Sequence, residues 1–156
     1  MTVEIRRCRS ADFLPLQELF SQVYPNNRLL RQRDFFDWQF RDHPLNPEKG
    51  YTLFLLTERT SSSDRPEIIG FYGWIPVEIL RENQVEPGCE PLLWWTAPTA
   101  RFHGLALLER VKEQFANLLF YDCTLMSSQI FSRMEMSLFS LPRLIGVLDT
   151  DAVCDL

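Results

Sequence analysis

A length of 156 residues fits one domain, and a chain of that size buries about 68–70% of the surface its unfolded form exposes, so its core needs no disulfide or metal staple. Hydrophobic residues make up 46% and aromatic residues 13% of the chain, with 12 Phe and 4 Trp, which excludes disorder and low complexity over most of its length. The formal net charge of -5 excludes the long-range positive field that draws a protein to nucleic acid, while local anion binding stays open.

The opening MTVEIRRCRSAD has no apolar targeting core, and no run of about 18 or more apolar residues occurs anywhere, so neither secretion nor a membrane partner is indicated and a cytoplasmic location is expected. Val3 and Ile5 alternate with polar neighbours and predict a first strand. Ser10 is placed to cap a helix whose Leu16, Leu19, Phe20 and Val23 share one face, and Pro25-Asn26-Asn27 ends it. Asp34 is placed to cap a second helix over FFDWQF, which must stop before Pro44. The turn HPLNPEKG follows. Tyr51–Glu58 and Glu67–Leu80 read as strands separated by the loop RTSSSDRP. Within the second, Gly70, Gly73 and Pro76 argue for an edge, a bulge or a close backbone approach.

A polar connection, RENQVEPGCE, precedes an apolar strand over Leu92–Thr96. A tight turn and a helix ending near Asn117 come next, then a strand over LLFYDCTLM, a short helix SSQIFSRM opened by Ser127, and an extended segment SLFSLPRLIGVLD. The predicted order is β-α-α-β-β-β-α-β-α-β, without internal repeats. Cys8, Cys89, Cys123 and Cys154 lie far apart with no C-x-x-C, and His43 and His103 are the only histidines, so free thiols and no metal site are expected.

The stretch TAPTARFHGLALLERV, Thr96–Val111, carries the chemistry. A strand that turns directly into a helix aims the helix's first N–H groups and its positive dipole end beyond the strand, where an anion, most often a phosphate, fits. Gly104 lacks Cβ and tolerates positive φ, so the N–H groups of residues 102 to 106 can approach phosphate oxygens. Arg101 either pairs with such oxygens or stands as a solvated loop arginine, and His103 has the same two readings.

With T-x-P-x-x-R-x-x-G-x-A laid across a strand, turn and helix, this element order resembles the GNAT N-acyltransferase superfamily. The phosphate-binding motif of that family, Q/R-x-x-G-x-G/A, is matched by Arg101-Phe102-His103-Gly104-Leu105-Ala106, with Phe102 where glycine is common. IRRCRSADFLPLQELF is similar to the family's opening, FFDWQFRDHP to the second helix of some members and IIGFYGWIPVEI to the third strand, so the likeness covers about residues 3 to 148. It implies an α/β (α+β) fold, a mixed, mostly antiparallel central sheet flanked by helices, as one domain over residues 1–156 that lacks the final strand or continues into a further segment. It also implies that Leu92–Thr96 and Phe120–Met126 splay apart around the pantetheine arm of acetyl-CoA or another acyl-CoA, with Thr96, Arg101, Phe102, His103, Gly104, Leu105, Ala106 and Phe131 binding that co-substrate.

The reaction implied is direct attack of an amine, from a small molecule or a peptide, on the thioester, with a proton donor for the departing thiolate. Phe131 stands where many family members carry a tyrosine acid. Tyr121 is a candidate acid that could equally be core; Ser128 is a second, beside Ser127, with helix capping as its other reading; Glu78 is the candidate base, or a solvated strand residue. Of Trp94 and Trp95, strand alternation puts one in the core and frees the other for a groove. The alternative to an enzyme is a non-catalytic GNAT-like acyl-CoA-binding or regulatory module, or one half of a tandem protein. A last strand near Leu144–Leu148 would present an edge for a second subunit to cover, giving a homodimer.

Overall fold

The computed structural model describes residues 2–46, 48–59, 66–120, 129 and 131–133. The chain divides into two compact units, Met1–Tyr121 and Asp122–Leu156. In the second, residues 129 and 131–133 are helical, within the short helix predicted there; the strand predicted over Leu144–Leu148 lies outside the described residues.

In the first unit, alternating and continuous apolar runs pair into a five-stranded sheet: β1 (Thr2–Arg7), β2 (Leu53–Arg59), β3 (Glu67–Arg81), β4 (Gln84–Thr96) and β5 (Asn117–Leu118), in that spatial order. The first three junctions are antiparallel and β4–β5 is parallel. Helices α1 (Phe13–Val23) and α2 (Arg33–Phe40) follow β1, and α3 (Gly104–Lys112) joins β4 to β5. Among the described residues no helix is long and apolar enough to cross a membrane.

The polar run RENQVEPGCE is not a connection. Glu82 and Asn83, with φ of 49° and 66°, make a two-residue hairpin turn, and β4 begins at once with Gln84 opposite Arg81. Positive φ at both central residues matches the twist of the flanking strands. Prolines occur inside this long hairpin where the described outer ladders do not pair with them: β2 leaves β3 at Gly73, before Pro76, and among the described residues β5 meets β4 at Gly88 and Cys89, between Pro87 and Pro91. Helix α3 likewise stops at Lys112, earlier than the predicted Asn117, which belongs to β5.

The α1 face forms as its spacing predicts, with Phe13, Leu16 and Phe20 buried and Leu19 and Val23 partly so. It packs with Phe36 and Phe40 of α2 on one face of the sheet, against Leu53, Leu55, Phe71 and Leu93. Phe20 meets Phe71 edge-on at 5.2 Å. The opposite face takes Leu107, Leu108 and Val111 of α3, all buried.

Two capping expectations are corrected. The Ser10 hydroxyl accepts from Arg33 instead, and Asp12 takes the N–H of Arg9 at 2.7 Å while Arg6 holds both its oxygens. Gln32 precedes α2, and Asp34 lies in its first turn, where a carboxylate suits the positive dipole end. The buried Asp37 accepts from Tyr51 Oη at 2.5 Å and pairs with Arg33 and Arg41, tying α2 to the entry of β2. Burial, then the hydrogen bond to Asp37, raises the Tyr51 phenol above its ordinary range and keeps it a donor.

Close approach explains the β3 glycines. A Cβ on Gly70 would stand 2.9 Å from Thr96 Cγ2, and one on Gly73 would stand 2.8 Å from Leu53 Cδ1 and 3.0 Å from Phe40 Cε1. Gly73→Ala is expected to cost about 1–3 kcal/mol through overpacking. Urea denaturation checks this, and a midpoint equal to wild type would show that the α2–sheet contact has room to spare.

Candidate functional site

Pro98 sets the site. The residue before a proline is held extended, and Ala97 has φ -55° and ψ 147°, so β4 ends there and Pro98 opens a 3-10 turn, Pro98–His103, that runs directly into α3. The N–H of Ala97 donates to Ile69 O at 2.8 Å, fixing the turn to the bulged start of β3.

Strand alternation then distributes the aromatic pair. Trp95 stacks on Phe71 at 5.6 Å and packs against the α1–α2 core, whereas Trp94 lies 5.7 Å from Tyr72 and turns toward the start of α3. A Cβ built on Gly104 would find Thr96 Cγ2 and Oγ1 at 3.5 Å and Trp94 Nε1 at 3.7 Å. Thr96, Trp94 and Gly104 therefore converge. Gly104 is buried and helical, at φ -60°, so its left-handed freedom is not used.

Arg101, Phe102, His103, Leu105 and Ala106 are exposed around this point, Phe102 at 97%. The N–H of Ala100 donates to Ala97 O, and that of Gly104 to Arg101 O. The turn thus already uses the Gly104 amide, and the exposed polar side chains that precede it are Arg101 and His103. An exposed guanidinium and imidazole beside a helix start can hold a phosphate by charge and directed hydrogen bonds.

Among the described residues the ladder of β4 with β5 comprises Gly88↔Asn117 and Cys89↔Leu118, with Leu119 N–H donating to Cys89 O at 2.9 Å, and β4 itself continues to Thr96. Its register against β3 passes from Gly73↔Leu93 to Trp74↔Pro91, leaving Leu92 as an extra, bulged residue. This bulge went unread in the sequence; its only trace is Pro91 beside an apolar run.

The other predicted residues lie elsewhere. Glu78 sits on β3 eight residues from Gly70, the partner of Thr96, or about 26 Å at about 3.3 Å per residue. It does not join the turn. Phe131 is buried, in the second unit. Tyr121 and Ser128 lie outside the described residues. Cys8 and Cys89 are free and buried, and burial pushes the Cys89 thiol up to about 12.

The sequence matches no protein-family model and no curated protein. Solved structures do match. An acetyltransferase of Trypanosoma brucei superposes with a TM-score of 0.67 at 11% identity, covering 94% of this chain and 100% of its own. Glucosamine-6-phosphate N-acetyltransferase from Arabidopsis thaliana gives 0.67 at 15% identity, covering 96% and 100%. AAC(6')-Iy in complex with the bisubstrate analogue CoA-S-monomethyl-acetylneamine gives 0.55 at 12% identity, covering 96% and 99%. At these identities the likeness is one of fold, and the fold is that of the GNAT acetyltransferases.

Because a Cβ on Gly104 would meet only ordinary contacts, Gly104→Ala should keep the melting temperature or raise it by up to about 3 °C, as alanine favours helix by up to about 1 kcal/mol. Calorimetry on the free protein checks this. A drop of several degrees would mean that packing, and not a ligand, requires the glycine.

Proposed function

We propose that this chain is an acyl-CoA-dependent N-acyltransferase, with acetyl-CoA as donor and an amine as acceptor. The observation that carries the proposal is a strand that passes, at Thr96, into a glycine-bearing turn flanked by exposed Arg101 and His103. In this reading Arg101 and His103 hold phosphate oxygens, and Gly104 keeps the space beside Thr96 and Trp94 clear of a side chain. The part of β4 beyond its described ladder with β5 suits an amide-bearing arm, since an extended chain laid along a strand is held by main-chain hydrogen bonds. The bulge at Leu92 re-aims backbone groups where the arm would end.

Attack by the neutral amine forms the new C–N bond and breaks the C–S bond; the thiolate takes a proton and the ammonium product loses one. Tyr121 or Ser128 is proposed to supply the thiolate's proton, since each carries an O–H and follows β5 in the sequence. The structural neighbours named acetyltransferases support the chemistry in kind.

Two outcomes test the reading. Acetyl-CoA at about 100 times its Kd should add about 2.7 kcal/mol of stability, and Gly104→Val, whose branched side chain presses on Thr96 and Trp94, should lose most of that increment. An equal increment in both proteins would remove the turn from the site. With an amine panel, Tyr121→Phe should slow thiol release by about 10²–10⁴-fold if the phenol is the proton donor; unchanged release, with Ser128→Ala slowed instead, would transfer the role to the serine.

A further inference from the structure

Phe102 breaks the rule that the other phenylalanines obey. Among the described residues every other phenylalanine is buried or partly buried, whereas Phe102 is 97% exposed. Leu105 and Ala106, three and four residues on, are exposed as well, Leu105 at 46%. Side chains at those spacings are neighbours on a helix surface, so the start of α3 presents one small apolar platform. A ring held in water forfeits the stabilisation that burial gives the phenylalanines of the core, and packing against the fold does not offset that loss at this exposure.

The surroundings of the platform select its occupant. Arg101 and His103 flank Phe102 in sequence and are exposed. Farther along α3, Arg110 pairs with Glu113, and Lys112 with Glu109 at 3.3 Å, so the cations of the later turns have carboxylates of their own. The platform is thus bordered by the two groups proposed to hold phosphate. Consecutive Cα atoms are about 3.8 Å apart, which sets the ring within reach of a base joined to those phosphates by one sugar. Three side chains on one turn match a single flat ring system, whereas a stable protein interface buries about 1,200–2,000 Å².

We infer that Phe102, supported by Leu105, is the platform on which the adenine of the donor stacks. The inference rests on the acyl-CoA reading and deepens it: the thioester is recognised as one carried by a nucleotide, and a phosphopantetheine arm carried by anything else forgoes this contact. Every base has a π-face, and an aromatic side chain binds it by stacking without any hydrogen-bond code. The adenine lies at the opposite end of the donor from the reacting thioester, so the contact tightens donor binding and leaves the chemical step alone.

The test titrates the full chain calorimetrically with CoA and with 4'-phosphopantetheine, which keeps the arm and a phosphate but has no adenine. Phe102→Ala should weaken CoA about tenfold and leave 4'-phosphopantetheine unchanged. Phe102→Trp, which keeps a flat π-face, should bind CoA at least as tightly as wild type, and Phe102→Leu, apolar but not aromatic, should resemble Phe102→Ala. An exposed side chain can be exchanged in this way without unfolding the chain, and melting curves of the free proteins verify it. Equal weakening of both ligands would make Phe102 a determinant of the turn's shape and overturn the inference. So would CoA binding that Phe102→Ala leaves unchanged, or that Phe102→Leu retains in full. Should 4'-phosphopantetheine bind too weakly to titrate, the comparison of Phe102→Trp with Phe102→Leu on CoA decides the matter. A wild type that binds no CoA up to about 10 mM would overturn the acyl-CoA reading and the platform with it, whereas each of the other results leaves that reading standing.

Discussion

Strand β4 pairs on both sides, antiparallel with β3 and parallel with β5, and most of the structure follows from that combination. On one side it is paired with β3 from Gln84 to Thr96; on the other, its described ladder with β5 covers Gly88 and Cys89. A parallel pair requires a crossover, and α3 is that crossover, so the chain must leave the end of β4, turn, and come back across the sheet. Pro98 makes the departure abrupt. A helix start is thereby fixed at the end of β4, beyond its described ladder with β5, which places an anion-favouring end there.

The sheet tolerates this only because its two faces are filled differently. Phe71, Leu93 and Trp95 look toward α1 and α2, while Tyr72 and Trp94 look the other way. Gly70 and Gly73 let β3 lie close to Thr96 and to Phe40 respectively. Leu92, as an extra residue in β4, changes the register between the hairpin's lower part and the segment that leads into the turn. The lower part thus extends past β2, with β5 beside it at Gly88 and Cys89, and Trp74 lines a concavity there.

The parts legible in the sequence are those decided by local periodicity or by a single strong punctuator. The face of α1, the alternation of Trp94 and Trp95, and the helix start at Gly104 are of this kind. The first half of β4 was not, because Pro87, Gly88 and Glu90 have loop composition and become strand residues only where β3 pairs with them. The turn at Glu82-Asn83 lacks the glycine that usually marks a two-residue hairpin. Caps were misassigned for a tertiary reason: Arg33 reaches Ser10, and Arg6 and the Arg9 N–H occupy Asp12. Of the candidate site, Thr96 and Gly104 were legible as one turn, while the separation of Glu78 from it depends on hairpin length, which the missed half of β4 conceals.

Charge now takes a definite meaning. A chain with net charge -5 is a poor long-range attractor of a polyanion, but at physiological ionic strength charges more than about 8 Å apart in solvent hardly feel each other. What an anionic donor meets at the turn is local, Arg101, His103 and a helix start, on a protein whose bulk acidity repels only weakly through salt. The same acidity has the opposite sign for an amine. At the other end of the hairpin Glu78 is uncompensated, since Arg7 and Arg81 are each bound to carboxylates of their own. One long hairpin therefore separates Arg101, where β4 ends, from Glu78, near where it begins, and the distance between them is set by the number of residues in the ladder.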